Sequence, residues 1–171
     1  MAQSKWYSEQ PKNRNFLSPV GFKMNLDLFP GVDFFCQRAN IPDITVPYTD
    51  VPTRFRSFPI VAAGGIQTGD LNLTFIIDEE LKNFMSIQNW IKKNGLYEEH
   101  SDGEAEYSNG TLEITTSNYN VSSYVIFENL FPVSLTEVRF DVGDTDVEYF
   151  TADVTFKYTS FELRNTRNKK L

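Results

Sequence analysis

The chain has 171 residues, 23 acidic against 16 basic, a net charge of −7, one cysteine and one histidine. This is the length of one domain, enough to bury roughly 70 % of the unfolded surface without a covalent staple, and the lone Cys36 excludes an intrachain disulfide and any multi-cysteine zinc or iron site. No apolar run approaches the roughly 20 residues that span a bilayer and the N-terminus has no signal-peptide core, so a soluble, unsecreted chain with no membrane partner is expected and the sequons at Asn72, Asn109 and Asn120 read as chance.

Residues 1–16 form a polar arm in which Lys5, Lys12 and Arg14 stand against Glu9. "VGFKMNLDL" (Val20 to Leu28) alternates with Val20, Phe22, Met24, Leu26 and Leu28 on one face, the pattern of a half-buried strand. Pro30-Gly31 turns the chain, and "VDFFCQRANI" (Val32 to Ile41) reads as the antiparallel partner, so a hairpin is expected to open the fold. Pro42 to Gly69 holds four prolines and three glycines among β-branched and aromatic residues. That mixture suits an extended excursion or irregular hairpin better than a core strand, and segments this long outside the core are usually functional.

"LNLTFII" (Leu71 to Ile77) is a strand running into the core, and one helix follows. Asp78 is its expected N-cap, Glu79 and Glu80 complement the positive end of the dipole, and Lys92 and Lys93 the negative end before Gly95. Leu81, Phe84, Met85, Ile87 and Ile91 fall on one broad face with Trp90 at its edge. "YEEHSDGEAEYSNG" (Tyr97 to Gly110) reads as an acidic surface loop that Asn109-Gly110 closes. Four strands are then expected: Thr111 to Thr116, Ser122 to Leu130, Leu135 to Val142, and Glu148 to Leu163, the last with Ala152, Val154, Phe156 and Tyr158 sharing a face. Residues 162–171 carry four basic groups against Glu162. Setting aside +2 and +3 for the two ends leaves a body of −12, which repels a phosphate backbone. The ends themselves read either as solubilising tails or as partner-binding arms. The pattern gives a single mainly β domain, 17–163, between an N-terminal arm 1–16 and a basic tail 164–171, with about seven strands and one helix packed as two antiparallel sheets in a sandwich or partial barrel.

No convergent catalytic set emerges. His100, Ser101 and Asp102 supply the residue types of a triad, but as sequence neighbours in a loop they point apart, where a triad needs the base between nucleophile and orienter. Cys36 has no nearby histidine and reads as a small buried hydrophobe. "GGIQTGD" (Gly64 to Asp70) has the glycine spacing of a phosphate loop, but Asp70 stands where the lysine belongs and a strand follows in place of a helix. Asp141, Asp144, Asp146 and Glu148 are the candidate metal ligands; they lack the spacing of a helical calcium loop and sit where "DVGDTD" reads as a hairpin connection, so a solvated acidic turn is expected and no cofactor. A calcium-dependent β-sandwich binding module is the alternative that would use them.

The run from Tyr124 to Leu163 resembles the tail tube proteins of contractile-tailed bacteriophages, with a Phe131-Pro132 corner, an acidic turn from Asp141 to Asp146 and a final aromatic-rich strand from Phe150 to Leu163. "FFCQRANIPDITV" (Phe34 to Val46) is similar to that family's second strand, and "FIIDEELKNFMSIQNWIKK" (Phe75 to Lys93) to its strand entering the single helix, so the resemblance covers most of residues 20–163. It implies two packed sheets flanked by one helix, shared in outline with the tube of type VI secretion systems, and no enzymatic activity. It also implies self-assembly into stacked hexameric rings that guide DNA without binding it specifically. Neighbouring tube, sheath, baseplate or tape-measure proteins are the implied partners, and a virion tail assembled in the host cytoplasm the implied location. Pro42 to Gly69 would touch neighbouring subunits and the basic ends would reach acidic bodies in adjoining rings. A baseplate tube initiator of the same fold is the alternative within the family.

Overall fold

A computed structural model describes residues 17–29, 36–96, 105–141, 149–166 and 170. Strands β1 (Phe22–Leu26) and β2 (Cys36–Ala39) precede the short β3 (Ile44–Thr45), β4 (Tyr48–Pro52), β5 (Ser57–Val61) and β6 (Gln67–Thr68). Then follow β7 (Leu71–Ile76), helix α1 (Lys82–Gly95), β8 (Ser108–Thr115), β9 (Val121–Leu135), β10 (Thr151–Lys157) and β11 (Ser160–Asn165). Seven strands form the body in the order β1-β8-β9-β10-β7-β2, with β11 also on β9, and every pairing is antiparallel. The four short strands stand outside it as two ribbons, β3 with β6 and β4 with β5.

The body is organised around β9. Its first part lies between β8 and β11, while residues 131–135 pair with β10, so one strand belongs to both halves of a bent sheet. Two irregularities make the bend. Ser108 and Gly110 face Leu130 and Phe127, which leaves an extra residue on β9 where Asn129 sits at φ 53°; a bulge of this kind increases local twist and redirects the strand. A second shift places Phe156 opposite Pro132 and Thr155 opposite Ser134, again with one residue extra on β9, which accommodates a proline that cannot donate to the ladder. The Phe131-Pro132 corner is therefore where one continuous strand changes sheet. The expected strand from Leu135 to Val142 does not form, since β9 ends at Leu135. The expected opening hairpin is also replaced: β1 pairs with β8 and β2 with β7, in opposite halves of the body.

Alternation dictates the interior. Leu71, Leu73 and Phe75 of β7, Ala152, Val154 and Phe156 of β10, and Val125, Phe127 and Leu130 of β9 are all buried with Met24 and Leu26 of β1. Each large side chain removed from water stabilises the fold by about 1.5–3 kcal/mol. Gly110 does not close a loop but lies inside β8, where a Cβ would come within 2.9 Å of Met24 Cε, so glycine there lets β1 side chains cross the strand. Thr115, at the end of β8, keeps its hydroxyl buried with no hydrogen-bond partner among the described residues. A buried hydroxyl left unpaired costs about 1–3 kcal/mol. Thr115→Val should therefore raise stability by about 1 kcal/mol and Tm by roughly 2–4 °C in a calorimetric scan.

Helix α1 packs on β9, with Ile87 and Trp90 fully buried and Phe84 and Ile91 partly so. Trp90 is thus at the centre of the buried face, not its edge, while Met85 is 46 % exposed. The helix starts later than its capping pattern suggests. Asp78 and Leu81 close a turn, Leu81 takes a left-handed φ of 58°, and Glu79 and Glu80 precede the helix. Asp78 still accepts an orphan donor, the Lys82 N–H at 2.7 Å. The buried Asn83 donates to Ile76 O at 2.8 Å and ties the helix to the end of β7. At the other end Trp90 Nε1 donates to Glu106 O at 2.9 Å, and the Asn94 side chain makes two further bonds with the Glu106 backbone.

Candidate assembly surface

Residues 43–69 fold into an arm built from the two outer ribbons. In β4 and β5, Val51 stands opposite Phe58 and Thr49 opposite Ile60 on one face, and Tyr48 opposite Val61 and Asp50 opposite Pro59 on the other. Every residue of these strands is exposed, Tyr48 at 68 % and Val61 at 76 %. The proline at 59 is tolerated because a two-stranded ribbon has only edges. At the tip, Thr53 N–H donates to Arg56 O at 3.0 Å and Arg56 N–H to Thr53 Oγ1 at 3.3 Å, a tight turn that projects Phe55 at 92 % exposure. The Arg56 guanidinium lies 4.2 Å from the Phe58 ring centroid, a cation–π contact that steadies the turn.

An isolated two-stranded ribbon is marginally stable in water, so the arm stands because its root is fixed. Gly69 N–H donates to Asp43 O at 3.0 Å, and Tyr158 Oη, between β10 and β11, donates to Gly69 O at 2.7 Å. Burial raises the Tyr158 phenol above its ordinary pKa, which keeps it a donor at physiological pH. A Cβ on residue 69 would fall 1.9 Å from Asp43 Oδ1, so the Asp43 carboxylate would have to swing away from any other residue there. Asn40 donates to Asp70 O at 3.0 Å and accepts the Asn72 N–H at 2.6 Å, and Lys157 pairs with Asp70 at 2.5 Å. Asp70 of the phosphate-loop-like "GGIQTGD" is therefore part of this root. A fixed root presenting large exposed apolar residues is the profile of a surface that another protein covers.

The remaining candidates converge on no reaction. His100, Ser101 and Asp102 lie outside the described residues, as do Asp144, Asp146 and Glu148; of the acidic set only Asp141 is described, beyond the end of β9. Among the described residues there is no group of histidine, cysteine, aspartate and glutamate able to hold a metal ion, and no helix long and apolar enough to cross a membrane. Cys36 is half-buried, its thiol donates to Arg38 O at 3.3 Å, and burial pushes its pKa up to about 11. Because the folded state holds the proton to higher pH than the unfolded chain, the stability linked to Cys36 is complete below pH 9 and is lost between pH 9 and about 11. At pH 8 its thiolate fraction should be about a hundredfold below that of the unfolded chain, and thiol labelling of native protein should be slower by a comparable factor. The space that Cys36 shares with Leu73, Ile87 and Phe156 is about 10 Å³, no larger than one water. At the C-terminal end Glu162 pairs with Arg164 at 3.2 Å and with Lys170, and hydrogen bonds from Lys170 and then Arg164 hold its carboxyl below the usual range. Lys170 is thus engaged within its own chain.

The arm was legible in sequence only as an excursion; the Arg54-Phe55-Arg56 tip passed unremarked, although "TRFRSF" alternates basic and aromatic residues between two prolines. The β body is filled, and the arm holds large apolar residues out from it. The phage tail tube protein family matches residues 9–164, and the chain belongs to it. By its family it is a structural tail protein. Solved structures share the fold. A chain of the anti-feeding prophage tube-terminating cap superposes with a TM-score of 0.68 at 15 % identity, over 95 % of this chain and 100 % of that one. A chain of the six-fold symmetrised anti-feeding prophage baseplate gives 0.62 at 10 %, over 92 % and 97 %. A chain of the sheath–tube complex of the PVC extracellular contractile injection system, in the extended state, gives 0.59 at 16 %, over 97 % and 99 %. No curated protein sequence matches the chain.

Proposed function

We propose that the protein is a ring-forming subunit, six copies to a ring, of the inner tube of a contractile tail, and that stacked rings form the conduit for DNA. The observation that carries this reading is the arm: large apolar residues held out from the body on a hydrogen-bonded root, in a member of the tail tube family. Free edges support it as well. Among the described residues β1 and β2 each pair on one side only, and strand pairing between copies would remove these aggregation-prone edges. The body charge of −12 lets DNA slide without sticking. Sheath, baseplate and tape-measure proteins are the partners this role calls for, in a virion tail assembled in the host cytoplasm. The N-terminal arm 1–16 and the basic tail 164–171 flank the ring-forming domain 17–163. Electron microscopy and native mass measurement of purified protein should show hexameric rings or tubes; a strictly monomeric species at high concentration, with no partner-induced assembly, overturns the reading.

The same fold occurs in baseplate and tube-cap chains, which supports a second reading as a tube initiator or other end-of-tube subunit. Long tubes from the protein alone favour the repeating subunit, and rings that stop at one layer favour the end subunit. Calcium titration by calorimetry should show no defined site at Asp141, Asp144, Asp146 and Glu148; a stoichiometric heat lost on Asp144→Ala with Asp146→Ala would favour the binding module.

A further inference from the structure

The arm tip is exposed in the isolated chain, its arginines in contact only with rings of the arm itself. Phe55 is almost wholly exposed, and neither Arg54 nor Arg56 pairs with a carboxylate among the described residues. An aromatic ring between two arginines is the chemistry of an interface anchor, and it calls for a concave site with exposed apolar surface and an unpaired carboxylate. Most described carboxylates are already engaged: Glu137 by Arg139, Asp70 by Lys157, Glu106 by Lys93, Glu162 by Lys170, and Asp78 at the start of α1. Asp27, Asp43, Asp50, Glu79 and Glu113 are not paired in this way, and of these Asp27 lines an open hollow of about 400 Å³ with Leu28, Tyr107, Ser108, Asn109 and Asn129. Tyr107 is 54 % exposed, and the floor is the bulge where Asn129 holds its left-handed φ with its N–H on Asn109 Oδ1. A second open groove, between Phe84, Ile91 and Val133, has Lys92 at its rim and its Glu137 already paired with Arg139, so it offers the arginines less.

We infer that Arg54-Phe55-Arg56 of one copy seats in the Asp27 hollow of the next, Phe55 against Leu28 and Tyr107 and the guanidiniums on the Asp27 carboxylate. This rests on the arm-mediated assembly proposed above and names the surface that receives the arm. The contact is head-to-tail, since each copy offers one tip and one hollow, and a contact of that type closes into a ring when its rotation permits.

Asp27, Arg54 and Arg56 are exposed, so their variants are expected to fold, which circular dichroism and a thermal melt check. Asp27→Arg alone, and Arg54→Glu with Arg56→Glu, should each reduce the assembled fraction at fixed concentration by at least tenfold, and the triple reversal should restore it. An equimolar mixture of the two defective proteins should assemble again with the two alternating, because the native tip of one meets the native hollow of the other and the reversed tip meets the reversed hollow; a mixture that stays as unassembled as its parts overturns the pairing. If Asp27→Arg assembles like the wild type while the arginine reversal fails, the inference is overturned and the arm reading stands; blockage by Val133→Glu would then locate the tip beside α1. If the wild type itself never assembles, both fall together.

Discussion

Phe127→Ala should lower the unfolding free energy by about 3–5 kcal/mol and Tm by roughly 10 °C. Phe127 is fully buried on β9, and its backbone position is opposite Gly110 of β8 and Phe161 of β11. Its ring lies 5.2 Å from Tyr158 and 5.9 Å from Phe161 between centroids. Truncation removes the transfer energy of a phenyl group and leaves a void that three paired strands cannot collapse to fill, since the backbone on each side is held by a ladder. Tyr158 also holds the arm root through Gly69. Loss of its ring partner should therefore expose the amides of residues 67–69 to faster hydrogen exchange, before global unfolding. A denaturation midpoint within error of the wild type would show that the sheet repacks around the gap.

The triple variant Val51→Thr, Phe58→Thr, Ile60→Thr should have the opposite profile. All three residues are exposed and share one face of the β4–β5 ribbon. Threonine keeps the β-branch of Val51 and Ile60 and supplies one at 58, which offsets the lost Arg56 contact with the Phe58 ring, so the stability of the isolated chain should change by less than about 1 kcal/mol. Assembly should fall by about a hundredfold or more, because three apolar contacts at a packed interface contribute upwards of about 1 kcal/mol each. Sedimentation velocity against concentration reads the two effects together: a monomer with an unchanged melt is expected, and rings at wild-type concentration would remove the arm from the assembly contact.

Local pattern reached the elements more reliably than their partners. The parity of Leu71, Leu73 and Phe75, and of Ala152, Val154 and Phe156, placed the same residues inward that the fold buries, because alternation depends only on neighbours in sequence. Pairing is non-local, so β1 looked like the partner of the next strand in the chain when its register is with β8. Pro132 read as a break between two strands, and only a bulge on β9 lets the chain run through it. On the helix, periodicity counts apolar residues without knowing which side meets the sheet, and so Met85 was placed with the core while the buried Asn83 was left out. The candidate assembly surface is harder still to read. Prolines obscure the register of β4 and β5, and the Asp27 hollow joins the end of β1 to β8 and the bend of β9, which lie about 80 and 100 positions further along the sequence.

The continuity of β9 also has a mechanical meaning. A push or pull on the arm enters the body at Asn40, Asp70, Lys157 and Tyr158, all on the β2–β7–β10 side. It passes to β8, β1 and β11 along one unbroken covalent strand, not across a seam between two sheets. The two halves cannot slip past each other without breaking the ladders that β9 makes with β8, β11 and β10, so a load on the arm is carried by the body as a whole.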